Sequence, residues 1–187
     1  VPAPSGQPVQ DSGRDYAPLR TLVLQAGVKL ATMQVHGGTL SELAMSLTGQ
    51  NGIYTINSLA MELYGGKIDG TGTVNVQQAM PATEINLSLQ DVQIGPLLHD
   101  FAEKDIIEGK LKAQVALSMR GDTAASVKKT LNGLGDLRFT DGALLGIDLA
   151  QMARTIKTGF ALEQQGVKPK TDFAELHVPF TITNGLV

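Results

Sequence analysis

Residues 107–120 read IEGKLKAQVALSMR and alternate between apolar and polar side chains along most of their length. The odd positions carry Ile, Gly, Leu, Ala, Val, Leu and Met, whereas the even positions are mainly Glu, Lys, Gln, Ser and Arg. Successive side chains of a β-strand point to opposite faces of a sheet. The stretch therefore predicts a strand with one apolar face and one solvent-exposed face.

The same alternation with period two recurs in five further segments on both sides of this stretch. They are residues 22–30, 43–47, 59–63, 85–89 and 176–182. Pairs of turn-forming residues separate the segments, at Gly37-Gly38, Asn51-Gly52, Gly65-Gly66 and Asp141-Gly142. Asn-Gly and Asp-Gly are favoured in two-residue hairpin turns. One-sided strands joined by short turns are typical of antiparallel sheets, so we predict a mainly β (α+β) fold, a curved antiparallel meander with one apolar face.

About three short helices are predicted to pack against that face. The first helix begins at Gly95-Pro96, and the third begins at Asp148. The second begins at Asp122 or Thr123 and stops at Asn132-Gly133. These boundaries are predicted because Pro at the first helical position, a polar N-cap and Gly at the end are helix boundary signals. The apolar side chains of each helix share one side: Leu97, Leu98, Phe101 and Ala102; Val127 and Leu131; Leu149, Met152, Ala153, Ile156 and Phe160.

Proline content divides the 187 residues into two parts. Residues 1–18 hold four of the eight prolines together with Gly, Ser and Asp, a composition that predicts a flexible linker with no core of its own. Residues 19–187 are enough for a single β-rich domain with a sizeable hydrophobic core.

The charge balance excludes a strongly basic nucleic-acid binder. Lys and Arg total 15 against 18 Asp and Glu, which gives a formal net charge of −3, and no Lys/Arg cluster is longer than Lys128-Lys129. We therefore predict no nucleic-acid partner. No apolar run approaches the roughly 18 residues that a membrane-spanning helix needs.

The sequence contains no recognisable catalytic or cofactor site. It has no cysteine, which excludes disulfides, thiol catalysis and Cys-containing zinc sites. The three histidines are far apart, and residues 70–72 (Gly-Thr-Gly) lack the rest of a dinucleotide fingerprint, so we interpret them as part of a strand with a glycine kink. Four acidic residues lie close together: Asp100, Glu103, Asp105 and Glu108. We interpret them as a solvated surface, and we predict no enzyme activity, no metal and no cofactor.

Several landmarks resemble one protein family and occur in the same order as in that family. They are residues 16–20 (YAPLR), 63–66 (LYGG), 133–142 (GLGDLRFTDG), 146–149 (GIDL), 171–177 (TDFAELH) and 180–185 (FTITNG). In this order they resemble the C-terminal region of the AsmA family of bacterial cell-envelope proteins. The likeness extends over nearly the whole chain after residue 18.

The resemblance implies a location and a function. Proteins of this kind are held in the inner membrane by an N-terminal helix, with most of the chain in the periplasm. They resemble β-groove proteins linked to outer-membrane biogenesis and phospholipid transport, with no catalytic residues to carry over. We therefore expect this chain to be part of a longer protein, associated with the membrane through a segment outside it.

The apolar face of the predicted sheet has three possible coverings: helices, another sheet or acyl chains. As candidates for lining a lipid groove, the sequence offers Leu87, Leu89, Leu111, Val115 and Leu117. Two functions stay open at this point. One is phospholipid handling along an apolar groove. The other is a scaffold with a self-covered core, which binds envelope proteins and affects outer-membrane protein assembly and targeting to the membrane.

Overall fold

A computed structural model of the chain describes residues 14–35, 38–146 and 169–186. Its main element is one eight-stranded antiparallel sheet in which the spatial order of the strands is their order in the sequence. The strands are β1 (Leu24–Val35), β2 (Gly38–Gln50), β3 (Ile53–Leu63), β4 (Gly66–Asn75), β5 (Ala82–Gln93), β6 (Ile107–Arg120), β7 (Asn132–Leu145) and β8 (Lys170–Ile182). The predicted antiparallel meander is confirmed.

Three short helices accompany the sheet in the described residues: α1 (Ala17–Thr21), α2 (Ile94–Ala102) and α3 (Ala124–Thr130). Of the predicted helices, the first corresponds to α2 and the second to α3. The third, which was predicted to begin at Asp148 and to end near Gly159, lies outside the described residues. Helix α1 was not predicted, and it begins inside the segment that we interpreted as a linker.

Helix α3 begins at a capping box. The Thr123 hydroxyl accepts a hydrogen bond from the Ser126 backbone N–H, and the Ser126 hydroxyl accepts one from the Thr123 backbone N–H. This reciprocal pair satisfies two backbone donors that the first turn of a helix otherwise leaves unpaired.

Two of the predicted turns differ from the structure. Asn51-Gly52 is a two-residue hairpin turn, as predicted, and both residues have positive φ. The turn expected at Gly65-Gly66 lies one residue earlier, because Tyr64 and Gly65 have positive φ and Gly66 begins β4.

The hairpin predicted at Asp141-Gly142 is wrong. Asp141 has a φ of 52° but lies inside β7. The register between β6 and β7 shifts here, opposite Gly109, whose φ is 126°. The left-handed residue therefore forms a β-bulge within a long strand, a conformation that favours the same residue types as a turn.

The register aligns apolar residues into rows that cross all eight strands on one face, which we call the apolar face. The first row is Ala26, Leu47, Ile56, Gly72, Ile85, Leu117, Gly133 and Ile182. The second row is Val28, Met45, Leu59, Gly70, Leu87, Val115, Gly135 and Phe180. Every residue in the two rows is apolar or glycine, so the alternation seen in single strands produces a continuous apolar surface.

Beyond the second row, the apolar face is covered by α2 and forms the hydrophobic core. Two clusters of buried residues lie there, one made of Ile94, Ile107, Leu111, Ala113 and Phe139, the other of Leu40, Leu63, Ile68 and Val92. Leu97 of α2 packs against both clusters. We call this part of the sheet the covered half.

Helix α2 packs through its first half. Ile94 is buried, and Leu97 and Leu98 contact the core. The expectation that Phe101 shares this side is wrong, since its side chain is 54% exposed.

Tyr64 fixes α2 to the turn between β3 and β4. Its hydroxyl donates a 2.6 Å hydrogen bond to Asp100 Oδ2 on the helix. Its ring passes over Gly38, where a Cβ atom would lie only 2.6 Å from the ring. Burial, and secondarily the Asp100 carboxylate, raise the pKa of Tyr64 to about 12. The glycine at position 38 is therefore what allows a tyrosine on one hairpin to reach the helix.

The Tyr64→Phe substitution removes this hydroxyl and keeps the ring. We expect it to lower the free energy of unfolding at neutral pH by about 1 kcal/mol, the usual net value of a hydrogen bond. The folded-state pKa of Tyr64 lies above the unfolded value of 10.0, so its contribution is present below pH 10 and is lost as the pH rises towards 12. The chain has three tyrosines and no tryptophan, so tyrosinate absorbance follows the titration directly. Because the pKa of Tyr16 is also raised, by its hydrogen bond to Asp122, Tyr64 is identified by difference: the absorbance step near pH 12 should lose the amplitude of one tyrosine in Tyr64→Phe and keep it in Tyr54→Phe.

Leu111 and Leu117 lie on the same strand and the same face, and they test the division of that face. Leu111 is 6% exposed in the core, whereas Leu117 is not buried. We expect Leu111→Ala to cost about 2–5 kcal/mol of stability, the range for a buried leucine, and Leu117→Ala to cost less than half as much. Urea unfolding of the two variants measures the difference. Equal losses would mean that the first row is also closed core.

Candidate functional site

The candidate site consists of the apolar side chains of the first and second rows, except Val115, and we call it the open half. It comprises Ala26, Val28, Met45, Leu47, Ile56, Leu59, Ile85, Leu87, Leu117, Phe180 and Ile182. None of these side chains is buried, although all are apolar and all but those on β1 and β8 have strands on both sides. Val28 on β1 is 41% exposed, and the other ten side chains are half-buried. The described part of the chain thus leaves a contiguous apolar surface in contact with solvent.

The predicted groove residues divide between the two halves. Leu87 and Leu117 lie on the open half. Leu111 is buried in the core, and Leu89 packs against both clusters. Val115 lies in the second row but contacts the core cluster, so it marks the boundary. The structure therefore places all five residues on one face. Helix α2 covers the part of that face that holds Leu89 and Leu111 and leaves Leu87 and Leu117 uncovered.

Sequence reasoning missed most of the open half. The candidates came only from β5 and β6, although the same alternation was visible in β1, β2, β3 and β8. Those segments were assigned to strands but not to the groove. The missing information was the register, because only the pairing of strands places Leu47, Ile56 and Ile182 in one row with Leu117.

Glycines make the centre of the open half smooth. Gly70 and Gly72 of β4 alternate with large side chains on the neighbouring strands, and a Cβ atom at Gly70 would lie 2.8 Å from Leu87 Cδ2. At Gly135 the ring of Phe180 occupies the position of the missing side chain. Residues 70–72 are indeed in a strand, but the irregularity lies opposite them, between Ile56 and Leu59 of β3.

The other face of the sheet is polar and carries charged pairs. Lys112 Nζ lies 3.6 Å from Asp91, and Lys110 Nζ lies 3.7 Å from Asp141. His177 forms a hydrogen bond with Asp136, which lowers the pKa of that carboxyl group. These groups are exposed, so each pair contributes little to stability.

The four clustered acidic residues have separate roles. Asp100 accepts the hydrogen bond of Tyr64, Asp105 lies 3.0 Å from His99 Nδ1, and Glu108 lies 3.5 Å from Lys170 Nζ. Glu103 is the left-handed C-cap of α2. Within the described ranges, no three His, Asp or Glu side chains are arranged to hold a metal ion. His36 lies outside those ranges.

No helix among the described residues is long and apolar enough to cross a membrane.

Comparison with known proteins identifies the family. The model of the AsmA family matches residues 10–187. The protein AsmA of Escherichia coli (strain K12) is 22% identical over 137 residues, which cover 73% of this chain and 22% of that protein. The chain thus spans about a fifth of the length of this relative. No solved structure matches the chain. Because the family model covers nearly all of the sequence, the chain belongs to the AsmA family of bacterial envelope proteins.

Proposed function

We propose that the chain is a non-enzymatic module that handles phospholipid along its open half, as part of an inner-membrane-anchored periplasmic protein acting in outer-membrane biogenesis. One observation carries this proposal. The apolar face has two rows, each crossing eight strands, whose side chains are apolar and remain unburied in the described residues. Soluble proteins rarely expose contiguous apolar surfaces of this extent unless the surface binds something.

The dimensions of the open half suit an acyl chain. Neighbouring strands lie about 4.8 Å apart, so a row across eight strands is about 34 Å long. The hydrocarbon core of a bilayer is about 30 Å thick, and one leaflet contributes about half of it. A complete acyl chain can therefore lie along one row. Its contact with Leu, Ile, Val and Met side chains resembles its contact with other lipid tails.

The polar head of such a lipid needs no dedicated site on the open half. The rows contain apolar residues and glycines only, so a head group stays in water at the side of the sheet. This arrangement predicts selection for acyl chains more than for head groups. It also supports a binding function without catalysis, since the rows offer no acid, base or nucleophile.

The Leu117→Asp substitution tests the proposal. A carboxylate on the open half remains hydrated while the site is empty, but it must lose water when an acyl chain covers it. We expect the variant to fold and to bind a fluorescent phospholipid at least about tenfold more weakly, since each 1.4 kcal/mol changes the affinity tenfold. Thermal melting and fluorescence titration are measured together on the same samples.

The neighbouring residue provides a matched control. Ser118 lies on the same strand, is exposed and points to the polar face, so Ser118→Asp adds the same charge without touching the open half. It should bind the phospholipid as the unmodified chain does. Unchanged binding in Leu117→Asp, or equal loss in both variants, would contradict the proposal.

The scaffold function has one observation of its own. Leu134 is 63% exposed on the polar face, beside a concavity of about 430 Å³ whose walls carry Asp69, Asn86 and Gln114. An exposed leucine beside a concavity offers an apolar contact whose burial under a partner protein stabilises a complex. If the chain acts as a scaffold, Leu134→Ser should abolish cross-linking to an envelope protein and leave phospholipid binding unchanged.

A further inference from the structure

A cavity of about 440 Å³ lies between α1 and the end of the apolar face that is opposite to α2. Its walls are formed by Tyr16, Leu19, Leu47, Tyr54, Val74, Val76, Pro81, Thr83, Gly121 and Asp122. Most of these are apolar or aromatic. The volume falls within the range of about 300–1,000 Å³ that is typical of small-molecule sites.

Helix α1 is held over this cavity by side-chain hydrogen bonds. Tyr54 Oη donates to the Leu19 carbonyl at 2.6 Å, and Arg20 Nε donates to the Val76 carbonyl at 2.8 Å. The Tyr16 hydroxyl donates to Asp122 Oδ2. A helix of five residues has little stability by itself, so these bonds, which join it to β3, to the β4–β5 turn and to the residues before α3, define its position.

The two tyrosine hydroxyls in the cavity wall are already paired. The hydroxyls of Tyr16 and Tyr54 donate to Asp122 and to Leu19. Among the described residues, no buried side-chain nitrogen or oxygen lacks a hydrogen-bond partner. Apart from the Thr83 hydroxyl and the Asp122 carboxylate, the rest of the wall is hydrocarbon and offers an apolar surface to a ligand.

The cavity is continuous with the open half. Leu47 belongs to the first row and also lines the cavity. Tyr54, Val74 and Thr83 form the next row towards the α3 end, and all three line the cavity. A chain lying along the open half can therefore enter the space beneath α1 without crossing a polar barrier.

We infer that this cavity binds the terminal part of an alkyl chain, with α1 as its cover. The inference rests on the proposed function, because the rest of the chain lies on the open half. The cavity adds to the open half a site that holds one end of the acyl chain. A terminal site bordered by α1 gives an acyl chain a defined position, whereas the smooth rows alone allow it to slide.

Tryptophan fluorescence tests the inference, since the natural sequence has no tryptophan. Tyr54→Trp places a fluorophore in the cavity wall. Thr83→Trp places one on β5, in the same row, as a second reporter if the first variant does not fold. The probe is 12-bromododecanoic acid, whose bromine quenches tryptophan at contact. We expect saturable quenching in these variants. Leu134→Trp, on the opposite face, should show none at the same concentrations.

Filling the cavity provides a second test. Adding Val74→Phe to Tyr54→Trp should abolish most of the quenching, because the larger ring occupies the space of the alkyl chain. Absence of quenching in both reporter variants, or equal quenching in Leu134→Trp, would overturn the inference. If the unmodified chain still binds fluorescent phospholipid in that case, the failure is confined to the cavity. If that binding is also absent, the proposed function fails with it.

The role of α1 as a cover has its own readout. Tyr16→Phe removes the hydrogen bond to Asp122 and leaves the ring in place. Loss of one hydrogen bond should accelerate release of the brominated probe about fivefold in stopped-flow measurements on the Thr83→Trp background, which keeps the hydrogen bond from Tyr54 to Leu19. An unchanged release rate would show that α1 does not control the cavity.

Discussion

The structure depends on one constraint, which is that an uninterrupted antiparallel meander places every second side chain on the same face across its full width. Eight strands make this face about 34 Å wide. Helix α2 has nine residues, a length of about 13.5 Å. A helix of that size covers only part of the surface. The division into a covered half and an open half therefore follows from the dimensions of the described elements, and both halves are built from the same residue types.

The position of α2 is set by irregularities at its end of the sheet. Glu42, Asp91 and Asp141 have left-handed backbone conformations inside strands, and Gly109 has a φ of 126°. Each of them lies at or beside a shift in strand register close to α2. Such bulges bend strands and increase their twist. The hydrogen bond between Tyr64 and Asp100 then fixes the position of α2. The Leu-Tyr-Gly-Gly motif at residues 63–66 therefore has a structural role, because Tyr64, in a left-handed conformation on a tight turn, holds the helix that covers the core.

Most of the strands, the turn at Asn51-Gly52 and two helices could be predicted from the sequence because their signals are local. Period-two alternation and Asn51-Gly52 depend on residues next to each other. The bulge at Asp141 could not be distinguished from a hairpin, since it needs the same left-handed residue and differs only in what lies opposite, at Gly109. Helix α1 has five residues, and its boundary signals are Pro18 in the first turn and Arg20 in the last, which are too few to separate it from a linker.

The same limit applies to the candidate site. Leu111 and Leu117 have the same residue type, the same strand and the same face, yet one is buried and the other is not. The difference arises from α2, which is joined to the chain between β5 and β6 and reaches only one end of the face. Stability and the proposed binding of lipid therefore involve different parts of one surface. The covered half supplies the buried apolar contacts that oppose unfolding, whereas the open half keeps apolar side chains partly in contact with water, and burying them under the proposed acyl chain would supply the free energy of binding.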